Sequence, residues 1–401
     1  MSRLRGRIIN RSVLTFAVLS ALAVNQLRVA LLNWGMTLWR PGFSDFGNYY
    51  LYARVGLYQG WNHLYDTAAQ QQEWLRLGGD AVIPWFPIVY PPPLAWIVVP
   101  FTVLPLPLAF ACWSALLVAC LLLTWRLVAQ RHPRLARWSA LTGMLAIASV
   151  PYALLLGQVL IIELTAVAVA WWLLRRDGNI LAGIVLIAIL FKPQIAMLLP
   201  VVLLVIGRWK AVAAWLAGSS VVAAIALITT GLDGVHEYIR RLGDAASAAP
   251  QFFVPTQLTI AGFLGRGPLT IALTAVVVVI TIVAARRNRL EGPSVPVACA
   301  LVGSLLITPY LHEQDLTLLL LAGGIALHSR LDQRLTWMLA AGYVLLLAIS
   351  YWGFGSLGPI LGAMLLTGEA GFLLMAALIP ISGSTAQRLP PFVQVPVDRS
   401  A

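Results

Sequence analysis

The sequence predicts an all-α fold, a polytopic transmembrane helix bundle, and three observations carry that expectation. Of 401 residues, 60% are hydrophobic and only 10% charged, against about 25% charged in an ordinary soluble domain. The mean hydropathy is +0.85. The apolar residues form continuous runs near the ~20 residues a spanning helix needs, not the in-and-out alternation of a barrel strand. Hydrocarbon offers no water to backbone N–H and C=O groups, so a spanning chain must be a helix or a closed barrel, and this pattern selects the helix. A soluble globular enzyme is excluded.

The elements follow in chain order. Arg3, Arg5, Arg7 and Arg11 precede an apolar stretch that continues past Ala21-Leu22-Ala23 to about Trp39, which reads as an uncleaved first span rather than a signal peptide. About twelve spans are expected: 12–34, 106–125, 138–156, 159–174, 179–191, 194–207, 211–230, 268–285, 295–309, 315–328, 335–351 and 358–379. Residues 1–380 form one membrane domain, and 381–401 a polar cytoplasmic tail without a fold. The net charge of +12 would suggest nucleic acid on a soluble protein. Here the arginines cluster between apolar runs, at 3–11, 126–137, 175–176, 208–210, 286–289 and 330–334. They are topogenic and mark the cytoplasmic face, so no nucleic-acid partner is expected. The opposite face receives a first loop, 36–92, the Gly157-Gln158 turn, a second loop, 231–266, and the turn 308–315.

Two segments strain a simple count. Residues 92–104 contain Pro100 and are too short to span, so they are expected to be re-entrant or in-plane. Residues 179–207 join two arginine clusters and should be two short helices breaking at Lys192-Pro193-Gln194, each ~20 Å long at 1.5 Å per residue. Helices that stop short leave room for a cavity, and irregular backbone at depth is tolerated where it lines one. The alternative is one long proline-kinked span. In the first loop Phe46, Tyr49, Tyr50, Ala53 and Leu57 fall on one face, as in an amphipathic helix lying at the interface. Cys112, Cys120 and Cys299 all sit within apolar runs and read as packing residues, with neither disulfide nor zinc spacing.

Polar residues where the surroundings are apolar carry the candidate chemistry. Asp45, just after the first span, can act as a general base on a hydroxyl or cap the following helix; Asp66 reads as a cap. Tyr90-Pro91-Pro92-Pro93 opens a short helix, because the first N–H groups of a helix have no partner to lose. Gln158, Glu163, Lys192 and Gln194 lie at membrane depth, where ionisable groups are functional candidates by default. Only two of the 27 basic residues are lysines. The Lys192 ammonium can hold a phosphate-bearing ligand, pair with Glu163, or snorkel. In Thr308-Pro309-Tyr310-Leu311-His312-Glu313-Gln314-Asp315, His312 and Asp315 share a face if helical. With Glu313, the second carboxylate of the turn, they suit a metal site, an acid/base or a hydroxyl clamp, or else a solvated turn whose Asp315 caps the next helix. Arg240, Arg241 and Arg266, with Gln257, can meet phosphate or lipid headgroups.

In this order the motifs resemble the integral-membrane, GT-C-type glycosyltransferases of family 87, which include polyprenyl-phosphate-mannose-dependent α-1,2-mannosyltransferases. The resemblance rests on Asp45-Phe46 with Tyr49, Tyr50, Ala53, Gly60 and Leu64-Tyr65-Asp66; on Tyr90-Pro91-Pro92, Gly157-Gln158 and Lys192-Pro193-Gln194; and on Gln257-Leu258 with Gly262 and Leu264, then Pro309-Tyr310 with His312 and Asp315. It spans about 40–330. What it implies is a GT-C-like bundle in the cell membrane that moves a hexose, foremost mannose, from a polyprenyl-phosphate donor to a glycolipid or glycan acceptor. Transfer would occur outside the cytoplasm with inversion, Asp45 serving as base. His312 would assist proton transfer or hold a hydroxyl or the departing phosphate, although the family often has a Trp or more histidines where this chain reads Leu-His-Glu-Gln-Asp. Tyr49, Tyr90, Gln158, Lys192, Gln194, Gln257, Asp315 and Arg266 are the expected substrate-binding residues, and an arginine from among Arg54, Arg240, Arg241 and Arg266 is a candidate to join Lys192 at the phosphate. No cofactor is expected, and a metal requirement is left open. Rival readings are a transporter or flippase of a lipid-linked saccharide, and transfer of another lipid-linked sugar such as arabinose or glucose.

Overall fold

A computed structural model describes residues 11–39, 44–79, 89–130, 132–252, 258–352 and 357–379. The expectations for Arg3, Arg5 and Arg7, for Gln257 and for the tail 381–401 fall outside them. Regular structure in the described residues is helical, without a strand. After α1 (Arg11–Trp39) come three short helices, α2 (Asp45–Tyr58), α3 (Thr67–Arg76) and α4 (Pro92–Val98). Then follow α5 (Leu106–Ala129), α6 (Arg134–Ala146), α7 (Ser149–Leu156), α8 (Leu160–Leu174), α9 (Asn179–Val185) and α10 (Leu199–Val205). The rest comprises α11 (Trp209–Phe252), α12 (Ile260–Leu264), α13 (Pro268–Arg287), α14 (Ser294–Ile307), α15 (Thr317–Ala326), α16 (Gln333–Trp352) and α17 (Gly358–Leu378).

Six helices, α1, α5, the first 36 residues of α11, α13, α16 and α17, are long and apolar enough to cross a bilayer; α6 and α7, bent by 66°, would make a seventh. Twelve independent spans are therefore not supported. The shortfall lies in elements that stop early: α8 has 15 residues and α14 has 14, or about 21–23 Å at 1.5 Å per residue against a hydrocarbon core of ~30 Å. The long helices present their apolar side chains outward. Leu31, Leu32, Ile228 and Val344 are each more than 60% exposed, which suits lipid and not water.

The bundle has two distinct ends. Arg175 Nη1 lies 3.1 Å from His328 Nδ1, His328 Nε2 lies 2.6 Å from the Val128 carbonyl, and Trp171 Nε1 donates to Ser294 Oγ at 3.0 Å. Arg208 Nη1 donates to Asp177 Oδ1 at 2.8 Å. The arginine-rich turns thus gather at one end. Because Asp177 and Arg208 touch, the chain between them leaves this end and returns to it, which a single kinked crossing cannot do. The segment is a hairpin: α9, a 3-10 stretch Leu186–Phe191, a break at Lys192 with φ −144° and ψ 67°, a 3-10 turn Pro193–Ile195, then α10.

The opposite end is closed by the two loops. Helix α2 is not the interfacial helix expected from its pattern. Phe46, Tyr49, Tyr50, Leu51, Tyr52, Ala53 and Val55 are all buried, while Leu57 is 43% exposed. Its tyrosines can be buried, Tyr52 off the apolar face included, because their hydroxyls find partners: Tyr50 donates to the Leu104 carbonyl at 2.7 Å, and Tyr52 to the Tyr90 carbonyl at 2.7 Å. Those bonds clasp α4 and the 3-10 turn Val99–Val103 that follows it. Helix α11 breaks at Gly231, whose φ of 68° and ψ of 176° are non-helical. Beyond it, Arg241 Nη2 donates to Thr67 Oγ1 at 3.2 Å and Tyr238 packs on Tyr65 at 4.7 Å between ring centroids, so the second loop rests on the first.

Candidate active site

Asp45 owes its freedom to its neighbour. Ser44 is the N-cap of α2, accepting the Gly47 N–H at 2.9 Å, so Asp45 occupies the first helical turn without serving as the cap. A carboxylate there is favoured by the helix dipole. Asp66 is a cap, as expected, taking the Ala68 N–H at 2.8 Å.

Gln158 reaches Asp45 through a turn that only glycine suits. Gly157 ends α7 with φ 70°, and a Cβ there would lie 2.8 Å from that of Phe46. Trp113 Nε1 pins the turn by donating to the Gly157 carbonyl at 2.8 Å. Gln158 Nε2 then donates to Asp45 Oδ2, while its Oε1 accepts the Tyr49 hydroxyl at 3.3 Å. The Tyr90 ring stands edge-on to Tyr49 at 5.1 Å.

Lys192 stands at the tip of the α9–α10 hairpin and is 2% exposed. It neither snorkels nor pairs with Glu163 as its first partner: Nζ donates to Asp315 Oδ1 at 2.5 Å. Asp315 Oδ2 accepts the His312 backbone N–H at 3.0 Å, so this one carboxylate holds both the hairpin tip and the 308–316 turn. Gln194 Nε2 donates to the Tyr310 hydroxyl at 3.0 Å, and the Tyr310 and His312 rings are 5.7 Å apart. Glu163, buried on α8, has both carboxylate oxygens outside hydrogen-bonding geometry, yet lies in the electrostatic reach of Lys192 and Asp315.

These residues form one cluster with a buried floor and an accessible rim. Tyr49, Gln158, Glu163, Lys192 and Asp315 make the floor; Asp45, Tyr90, Gln194, Tyr310, His312 and Glu313 are part-exposed on the rim. Burial pushes the Asp45 carboxyl up to about 6, and the Asp315 charge adds to this, while Lys192 and the Gln158 bond oppose it. A carboxylate poised near neutrality suits proton abstraction. Burial and the Lys192 charge hold the His312 imidazole below its ordinary range, against the pull of Asp315, so it is neutral near pH 7.

Not every expected residue joins. Arg266 is exposed at the α12–α13 junction. Arg54 Nε donates to Glu73 Oε1 at 2.6 Å, and Arg240 and Arg241 pair with Glu237. Gln257 lies outside the described residues. No group of three or more His, Cys, Asp or Glu among the described residues is arranged to hold a metal ion. Tyr152, an exposed residue of α7 within electrostatic reach of Asp45 and Glu313, escaped sequence reading, having no signal beyond a tyrosine in an apolar helix; Glu313 was one of the two carboxylates read in the 308–315 turn.

Helix α8 starts beside Gln158 and Glu163, the α9–α10 hairpin turns at Lys192, and α14 and α15 flank the 308–316 turn, so these short elements all have an end at the cluster. A buried polar floor, a carboxylate on the rim and outward-facing apolar helices suit a reaction between membrane-bound molecules. The model of glycosyltransferase family 87 matches residues 88–309, more than half of the chain and including Tyr90, Gln158, Lys192 and Gln194, with Asp45 and His312 beyond its limits. No curated protein and no solved structure is significantly similar to the chain. The chain belongs to glycosyltransferase family 87 and is an enzyme, a membrane glycosyltransferase.

Proposed function

We propose that the enzyme transfers a hexose, foremost mannose, from a polyprenyl-phosphate donor to a hydroxyl of a glycolipid or glycan acceptor, at the extracytoplasmic face of the cell membrane. The observation that supports this best is the position of Asp45, uncapped and part-exposed on the rim of a buried polar cluster at the end away from the arginine-rich turns. The positive-inside rule assigns those turns to the cytoplasm, which leaves the cluster facing outward.

In this reading Asp45 accepts the proton of the attacking hydroxyl, the new bond forms from that oxygen to the anomeric carbon, and the bond to phosphate breaks. Its electron pair leaves with the polyprenyl phosphate, and the anomeric carbon inverts. Gln158 holds one Asp45 oxygen and leaves the other for the acceptor. Neutral His312 can donate a hydrogen bond to the leaving phosphate. Lys192 stabilises the same charge through its field, with Asp315 sharing its ammonium, so a donor phosphate must compete with that carboxylate for direct contact.

Purified protein in detergent, given polyprenyl-phosphate-linked mannose and a lipid-extract acceptor pool, tests the reading. Transfer by wild type and none by Asp45→Asn is the expected result. A folded wild type that binds the donor but transfers no sugar would favour a flippase, and transfer only from a polyprenyl-phosphate-linked arabinose or glucose would change the sugar.

A further inference from the structure

Beside Asp45 the rim carries a second polar group that the reaction above does not use. Helix α7 packs along the turn Glu313–Leu316, fastened at its start where Thr317 Oγ1 and Ser149 Oγ lie 3.3 Å apart. From its exposed face projects Tyr152, 39% exposed and within electrostatic reach of both Asp45 and Glu313. Glu313 is part-exposed and has no ion pair among the described residues. Its neighbour two positions on is the ion-paired Asp315, and burial pushes the Glu313 carboxyl up to about 7. Tyr152 and Glu313 thus sit on two packed elements, on the same accessible side as Asp45.

We infer that Tyr152 and Glu313 form an acceptor subsite for a polyol headgroup, binding hydroxyls that neighbour the one delivered to Asp45. The inference rests on the reading of Asp45 as the base on the acceptor side. The chemistry is that of sugar recognition in general. A carboxyl group lacking a cation offers two oxygens to neighbouring hydroxyls, and above about pH 7, where Glu313 is ionised, both accept the stronger, charge-assisted hydrogen bonds. A tyrosine supplies an apolar ring face together with a hydroxyl. A simple long-chain alcohol offers one hydroxyl and leaves Glu313 unsatisfied, so the subsite selects polyols by the penalty on the wrong acceptor as well as by contacts to the right one.

The test uses the full chain in lipid nanodiscs with octyl α-mannoside as the polyol probe and 1-octanol as the simple alcohol, binding measured with the donor omitted. Glu313→Gln is expected to weaken octyl α-mannoside binding about ten-fold and Tyr152→Phe about three-fold, with octanol binding unchanged. Glu313→Asp should recover part of the loss, which a merely structural role would not produce. Equal octyl α-mannoside binding by wild type and both variants, or an equal loss for octanol, overturns the inference. Tyr152→Phe, at an exposed position, keeps the test decisive if Glu313→Gln fails to fold. Failure of the parent reading is separate: it shows as transfer retained by Asp45→Asn, whatever the binding results.

Discussion

At the scale of the residue, the pairing of Ser44 with Asp45 separates two duties that the sequence leaves combined. Serine takes the cap and aspartate keeps its carboxylate. In the proposed reaction Asp45 is the base, and replacing it by Asn keeps the shape and the Gln158 contact but removes the proton acceptor, so kcat should fall about 10²–10⁴-fold while the variant elutes as folded protein. The pH profile follows from the same carboxylate. Raised to about 6, it is the active base only when deprotonated, so initial rates should fall as pH drops through about 6 and hold above it. That acid limb should be missing from the residual rate of Asp45→Asn. Gly157 gives a structural counterpart: Gly157→Ala places a Cβ 2.8 Å from Phe46 at a φ of 70°. The combined strain should cost about 2–4 kcal/mol, read as a lowered thermal midpoint.

At the scale of the element, the α9–α10 hairpin is the informative piece. Its break was legible because Lys192-Pro193-Gln194 interrupts an apolar run between two arginine clusters, and both halves are too short to span. Its partner was not legible, since 123 residues separate Lys192 from Asp315. Truncating one member leaves the other buried and unpaired, so Lys192→Met alone should destabilise by about 3–5 kcal/mol. Adding Asp315→Leu should recover most of that stability, because an apolar pair of similar volume replaces a desolvated ion pair. Transfer should stay lost. A double variant as unstable as the single would mean that the pair does more than neutralise itself. Helix α2 teaches the opposite lesson: its pattern implies one apolar face, yet Tyr52, off that face, is buried as fully as Tyr49 once the Tyr90 carbonyl accepts its hydroxyl.

For the whole molecule, the gathering of arginine-rich turns at one end and the polar cluster at the other predicts sidedness. With Cys112, Cys120 and Cys299 replaced by alanine, a cysteine introduced for exposed Gln72 in the first loop should react with an impermeant thiol reagent on intact cells. One introduced for Leu290, 88% exposed in the turn between α13 and α14, should react only after permeabilisation. The reverse pattern would invert the molecule and move the transfer reaction to the cytoplasm.

Class, helical content and most helix positions were determined by the sequence itself, because hydrocarbon forces apolar runs into helices wherever they occur, and arginine placement sorts their ends. Asp45, Gln158, Lys192, His312 and Asp315 were visible individually for the same reason: a polar side chain among apolar neighbours is costly and conspicuous. Tertiary structure alone decided which of them meet. It paired Lys192 with Asp315 rather than Glu163, sent Arg54 to the buried Glu73 and Arg240 and Arg241 to Glu237, and turned several expected spans into short elements ending at the cluster. These outcomes depend on contacts between residues far apart in the chain, and on how deep each helix sits in the bundle. Hydrophobic periodicity reports a helix's length and faces but carries no record of either.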